Sequence, residues 1–271
     1  MLRYSTLCLV LLFTGSSGLL RAASLLPDST MEEIYAELRI KTELLFEAQK
    51  DSFSYESDNS ATKEFKEHYI YSIVRIGNLF SKYDRHALIA YSLNDTTLFV
   101  EIRQQIGKTW VRRFRNTSCT SRLSPPFSSP ISIKDLNDDG VNDLFIADEF
   151  VAMPGTELKG NAWINTHDGL QKIKGFDLIP NAVYDSKTKQ YLGYSNCCGG
   201  MVMTFLAYEM KKNYELRKVK EIQCDCSDQK TEGCTVTTDQ LKVQLVPRNE
   251  AYRYVLPYYS KQVKDQFSSP H

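Results

Sequence analysis

The sequence predicts a mainly β fold: an antiparallel meander, arranged as a propeller-like array, a barrel or a sandwich, preceded by two N-terminal α-helices. Three observations predict it. From residue 86 onward, short apolar runs recur at about 8–12-residue spacing, with turn residues between them and no helical periodicity. The aromatic residues lean to Tyr (16) and Phe (13) over Trp (2), which suits pleated, half-buried strands. Ahead of residue 85 the apolar spacing is instead that of helices.

Residues 1–23 read as a secretory signal peptide. Arg3 supplies the positive start, Leu7–Phe13 the apolar run, and Ser16, Gly18, Ala22 and Ala23 the small residues for cleavage. The run breaks at Thr14-Gly15-Ser16, short of the about 20 apolar residues that a membrane span needs. The expected protein is therefore secreted or periplasmic, with no membrane span after signal cleavage.

Residues 24–84 form the expected helical segment. Ser29-Thr30-Met31-Glu32-Glu33 offers a capping box behind Pro27, and Ile34, Leu38, Leu45 and Ala48 follow at helical spacing. A polar stretch, Asp51–Ser60, interrupts. The second helix is predicted from Ala61 to Lys82, with Phe65, Tyr69, Ile73, Ile76 and Phe80 on one stripe.

Residues 85–271 form the expected β domain. His86–Ser92 and Thr97–Gln104 flank a turn at Asn94-Asp95, and Lys108–Arg115 follows Gly107. After the Ser124–Pro130 loop come Ile131–Lys134, Leu144–Asp148, Ala162–Asn165, Leu170–Lys174, Ala182–Asp185, Tyr191–Ser195, Met201–Met210 and Tyr214–Gln223. Cys234–Thr238 and Leu241–Val246 complete the series as a hairpin. The Tyr-rich end (Tyr252, Tyr254, Tyr258, Tyr259) reads equally as a core strand or as contact area for a partner. Sequons occur at Asn94 and Asn116 and have meaning only in a eukaryotic source.

Signal cleavage removes Cys8 of the seven cysteines and leaves Cys119, Cys197, Cys198, Cys224, Cys226 and Cys234. An even set in an exported chain points to disulfides, with pairing not fixed by sequence. Neighbouring Cys197 and Cys198 do not readily close on each other. They are expected to pair with the Cys224/Cys226 region, leaving Cys119 with Cys234. A thiolate zinc site at Cys197-Cys198 and Cys224/Cys226 is the rival. The 33 basic and 33 acidic residues balance, which argues against a polybasic nucleic-acid binder and against disorder.

One segment carries metal chemistry. In Asp135-Leu136-Asn137-Asp138-Asp139-Gly140-Val141-Asn142-Asp143, oxygen side chains fall at loop positions 1, 3, 5 and 9, and Gly falls at 6 where the chain must turn. Val141 at position 7 needs only its backbone carbonyl. Ca²⁺ takes six to eight hard oxygens in flexible geometry, and this spacing supplies them. The predicted ligands are Asp135, Asn137, Asp139, Val141 and Asp143; Asp138 should point outward. A metal-free Asn/Asp/Gly turn is the alternative. Position 12 is Ile146 and strands flank the loop, so no EF-hand opening is expected.

D-x-N-x-D-G-x-x-D-L between strands resembles the FG-GAP and VCBS-type calcium loops of integrin-like propellers and secreted bacterial proteins. More loosely, the order of Tyr184-Asp185, Tyr191-Leu192-Gly193-Tyr194-Ser195, Tyr208-Glu209-Met210 and Tyr214–Glu221 resembles bacterial exported single-loop proteins. Some of those are periplasmic inhibitors of peptidoglycan hydrolases. The resemblance implies structural Ca²⁺ and a protein or cell-envelope partner.

No G-x-S-x-G, H-E-x-x-H or Walker loop occurs. His68, His86, His167 and His271 are scattered; His167-Asp168-Gly169 reads as a turn, with a general-base role as its rival. The resulting expectation is an exported calcium-binding β-protein that acts as a non-enzymatic binding or inhibitor module. The alternative is a secreted hydrolase of polysaccharide or peptide, for which Asp148 and Glu149 are the carboxylates to inspect.

Overall fold

A computed structural model describes residues 31–48, 53–56, 71–94, 96–119, 130–149, 157–197, 200–228, 233–239 and 243–268. The signal segment, the first ten residues of the second predicted helix, His68, Cys198 and His271 lie outside the described residues. What is described is mainly β, in three open antiparallel meanders.

The first sheet runs β1 (Phe53–Glu56), β2 (Ser72–Gly77), β3 (His86–Asn94), β4 (Thr97–Ile106) and β5 (Thr109–Cys119), each paired with its successor. The second runs β6 (Ile131–Lys134), β7 (Asp143–Glu149), β8 (Lys159–Thr166) and β9 (Gly169–Lys172). The third runs β10 (Val183–Asp185), β11 (Gln190–Cys197), β12 (Val202–Met210), β13 (Leu216–Asp225), β14 (Gly233–Thr238) and β15 (Val243–Pro247).

Among the described residues one N-terminal helix is present, α1 (Met31–Ala48), and its acidic first turn carries Glu32 and Glu33. The second predicted helix is corrected. Within its described part, residues 71–82, Ser72–Gly77 is the strand β2 between β1 and β3, and β1 itself falls in the stretch expected to be an interruption. The cause is burial on both faces. Ile73 enters the core shared with the second sheet, while Val74 and Ile76 face α1 beside Phe46. A strand with apolar residues at both parities mimics an i, i+3 stripe, and its β-branched residues favour the extended chain. Helical and β segments are thus not divided at residue 84.

The second sheet is buried on both sides. Leu144, Ile146 and Trp163 join Leu88, Leu98, Val100 and Ile102 of the first sheet in one core. Phe145, Ala147, Ala162 and Ile164 join Phe176, Ile179, Tyr191 and Tyr208 on the side of the third sheet. Gly160 makes the β7–β8 contact possible. A Cβ there would stand 2.3 Å from the Ile146 carbonyl oxygen and 2.8 Å from Ala147 Cα.

The C-terminal segment is neither a strand nor a free surface. It forms 3-10 turns at Arg248–Arg253 and Pro257–Tyr259, then α2 (Ser260–Ser268), with Pro257 fixing the first position of its turn. Ala251, Val255, Leu256, Tyr259 and Val263 close the core of the third sheet; of the four tyrosines, Tyr258, 53% exposed, is the one left outside.

The expected cysteine pairing is also corrected. Cys226 and Cys234 are disulfide-bonded, because the antiparallel register Asp225↔Thr235 sets them opposite each other. Cys224, fully buried, places its Sγ 3.8 Å from that of Cys226, and burial, then Asp225, pushes its thiol up to about 11. Cys119 is exposed and takes no part in this cluster.

Gly160→Ala is expected to destabilise strongly, since the clash is with backbone that cannot swing aside. Ile73→Ala should cost roughly 2–4 kcal/mol by opening a cavity between the sheets. Urea unfolding midpoints check both; an Ile73→Ala protein as stable as wild type would contradict the two-sided burial of β2.

Candidate metal centre

The loop from Asp135 to Asp143 joins β6 to β7, with strands on both flanks. Asp138 and Gly140 take φ of 61° and 82°, the left-handed region that makes the turn; the space around Gly140 is open, so its need for glycine is conformational.

Asp135 organises the turn. Its Oδ1 accepts N–H groups from Asn137 (3.1 Å), Asp138 (2.7 Å) and Asp139 (3.3 Å), and its Oδ2 accepts that of Gly140 (2.7 Å). Burial pushes this carboxyl up, but the four N–H donors outweigh it and hold its pKa below the ordinary range. Asp139 Oδ1 accepts the Val141 N–H (2.8 Å), and its Oδ2 accepts Asn137 Nδ2 (2.9 Å).

Asp143 is fully buried. Its Oδ2 accepts the Leu136 N–H (2.9 Å) within the loop, and its Oδ1 accepts the Asn165 N–H (2.8 Å) on β8. Burial raises its pKa to about 6; the two N–H groups oppose that, and the charges of Asp139 and Asp135 add to it.

The loop is anchored to the first sheet as well. Asn142 Nδ2 donates to the Leu79 carbonyl (2.9 Å) and Asn165 Nδ2 to that of Phe80 (3.0 Å). The spacing pattern does not single out Asn142 or Asn165: neither occupies a ligand position in it, and their partners are over sixty residues distant in sequence.

All five predicted residues thus sit on one turn, with three carboxylates, an amide oxygen and a backbone carbonyl as hard donors. None of Asp135, Asp138, Asp139 or Asp143 enters an ion pair among the described residues. Such a donor set fits Ca²⁺. The carboxylates are turned onto N–H groups rather than gathered on a point. Among the described residues, the cluster of three donor side chains within 4.8 Å of one another is Cys224, Cys226 and Cys234, two of which are disulfide-bonded.

The catalytic candidates separate. His167 is exposed, 3.4 Å from the equally exposed Asp168, and His86 is buried at the start of β3 against Phe80. Asp148 lines a cleft of about 350 Å³ with Asn116, Ser118, Asn161, Trp163 and Lys172, and both its oxygens accept Asn161 Nδ2 at 2.8 Å. Glu149's side chain is outside the described set.

The described residues therefore define a multi-sheet antiparallel β protein with an acidic inter-strand loop. No family model matches the chain, and no curated protein does. Among solved structures it is similar to one described as a Xanthomonas type IV secretion system related protein: 12% identity over 73% of this chain and 99% of that one, TM-score 0.37. At that identity and score the likeness sets neither fold nor role. Among the described residues, no helix is long and apolar enough to cross a membrane.

The raised pKa of Asp143 has a definite sign. Between about pH 4, where an exposed carboxyl titrates, and about 6, the folded ion-free protein holds a proton the unfolded chain has released. Stability from this group is therefore highest below that window and falls as pH rises through it. Thermal unfolding in chelator across the window checks this, and Asp143→Asn should remove the slope that this carboxyl contributes.

Proposed function

We propose that the protein is an exported β-module stabilised by one structural Ca²⁺, working by binding a protein or cell-envelope partner rather than by catalysis. The observation that carries the metal assignment is the loop itself. Oxygen donors at positions 1, 3, 5 and 9 surround a turn that Asp135 already holds closed, and among the described residues their carboxylates enter no ion pair. In an extracellular compartment such a site fills without regulation, and its work is to neutralise the carboxylates at the place where the loop meets both neighbouring strands and the first sheet. In architecture, the first and second sheets are a sandwich-like pair with the third stacked behind.

The partner class follows from the resemblance to exported single-loop inhibitors of peptidoglycan hydrolases. A hydrolase is the alternative: glycosidic hydrolysis needs two carboxyl groups facing one another, and among the described residues lining the cleft Asp148 supplies one.

Chelation should lower the thermal midpoint. At free Ca²⁺ about 100-fold above Kd, the ion is expected to raise it by roughly 5–10 °C, and Asp139→Ala should abolish the rise. An unchanged melt in EGTA overturns the metal assignment. For the partner class, the calcium-loaded protein should slow lysis of purified cell wall by a lysozyme-type hydrolase, read as turbidity; no inhibition across several hydrolase types argues against an inhibitor.

A further inference from the structure

Tyr191, on β11, is 1% exposed and among the largest fully buried side chains, yet its hydroxyl has no hydrogen-bond partner. A buried, unpaired hydroxyl is costly and uncommon. Its surroundings say what it faces. The side chain at Asp143 leaves β7 on the same side as Phe145 and Ala147, since alternate residues share a face. Those two belong to the core cluster that holds Tyr191 and also Leu136, position 2 of the loop. Phe176 bridges them, with its ring 6.0 Å from Phe145 and 5.6 Å from Tyr191. After burial, the charges that act on the phenol are those of Asp143, Asp139 and Asp135, together with Tyr184, and all push its pKa upward. No cation is among them.

Asp143 does not satisfy the hydroxyl in this arrangement. Each of its oxygens accepts one backbone N–H and keeps a further lone pair, and Tyr191 makes no bond to either. Position 9 of a calcium loop often reaches its ion through water, and a buried water needs two to four polar partners. We propose that the Tyr191 hydroxyl belongs to the ion site, donating to a water held between the bound Ca²⁺ and Asp143. The third sheet thereby contributes to a site whose ligands all lie on the second. The proposal rests on the calcium assignment above and adds a residue about fifty positions away from the loop.

Tyr191→Phe separates this role from packing, because it keeps the ring and removes only the hydroxyl. Calorimetric titration with CaCl₂ should show Kd weakened roughly 3- to 10-fold, the scale of one net hydrogen bond. In chelator, Tyr191→Phe should melt at or above the wild-type midpoint, since the unpaired hydroxyl is gone. The calcium-induced rise in the midpoint should be smaller than in wild type. Tyr184→Phe, on the same hairpin with its ring 5.1 Å from Tyr191, should leave Kd unchanged.

An unaltered Kd in Tyr191→Phe, with wild type binding normally, overturns this inference and leaves the calcium assignment standing. Absence of binding by wild type overturns both. A midpoint lowered equally with and without calcium, at constant Kd, marks Tyr191 as packing only and also overturns it, as does an equal loss of affinity in Tyr184→Phe.

Discussion

The buried carboxylate of Asp143 is the constraint on which the arrangement turns. It stands at the first residue of β7, out of solvent, and spends its two oxygens on N–H groups from different places: Leu136 inside the loop and Asn165 on β8. Those bonds favour the charged form, while burial and the neighbouring Asp139 and Asp135 disfavour it. Burial is the larger of the two unfavourable effects, and the like charges of Asp139 and Asp135 add less.

That carboxylate also fixes how the sheets meet. The second sheet is central, with Leu144 and Ile146 committed to the first sheet and Phe145 and Ala147 to the side of the third. Such a strand has no solvent face, and a one-residue slip of β7 would exchange its two apolar sets between unlike cores. Asp143 begins that strand, and its bond to Asn165 pins the register against β8. Asn165 in turn reaches the Phe80 carbonyl, and Asn142 that of Leu79. One loop thus sets the register of the second sheet and its seat against the first.

The strand-flanked turn was legible in the sequence because its signals are local: the spaced Asp and Asn residues, the glycine and the flanking strands all lie within about a dozen residues. The β series from His86 was legible for the same reason, as alternation and turn residues are short-range signals. Legibility failed where burial is set by distant elements. β2 is covered by α1 on one face and the second sheet on the other, so its apolar residues lose the alternation that marks a strand. The Cys226–Cys234 bond depends on the register of β13 against β14, which no cysteine count contains. Tyr252, Tyr254 and Tyr259 are ordinary aromatics until the C-terminal turns fold back over the third sheet.

The overall charge balance illustrates the same division. Equal numbers of acids and bases describe the chain as a whole, but the described ion pairs lie elsewhere. Arg103 serves Glu43, Glu47 and Glu101 between α1 and the first sheet, and Arg75, Arg217 and Arg253 each take a glutamate. Asp135, Asp139 and Asp143 of the loop accept N–H groups instead. Such dipoles hold carboxylates in position without cancelling their charge. The neutral sum therefore conceals a local deficit of positive charge. It stands where Asn142 and Asn165 tie two strands of the second sheet to the turn after β2.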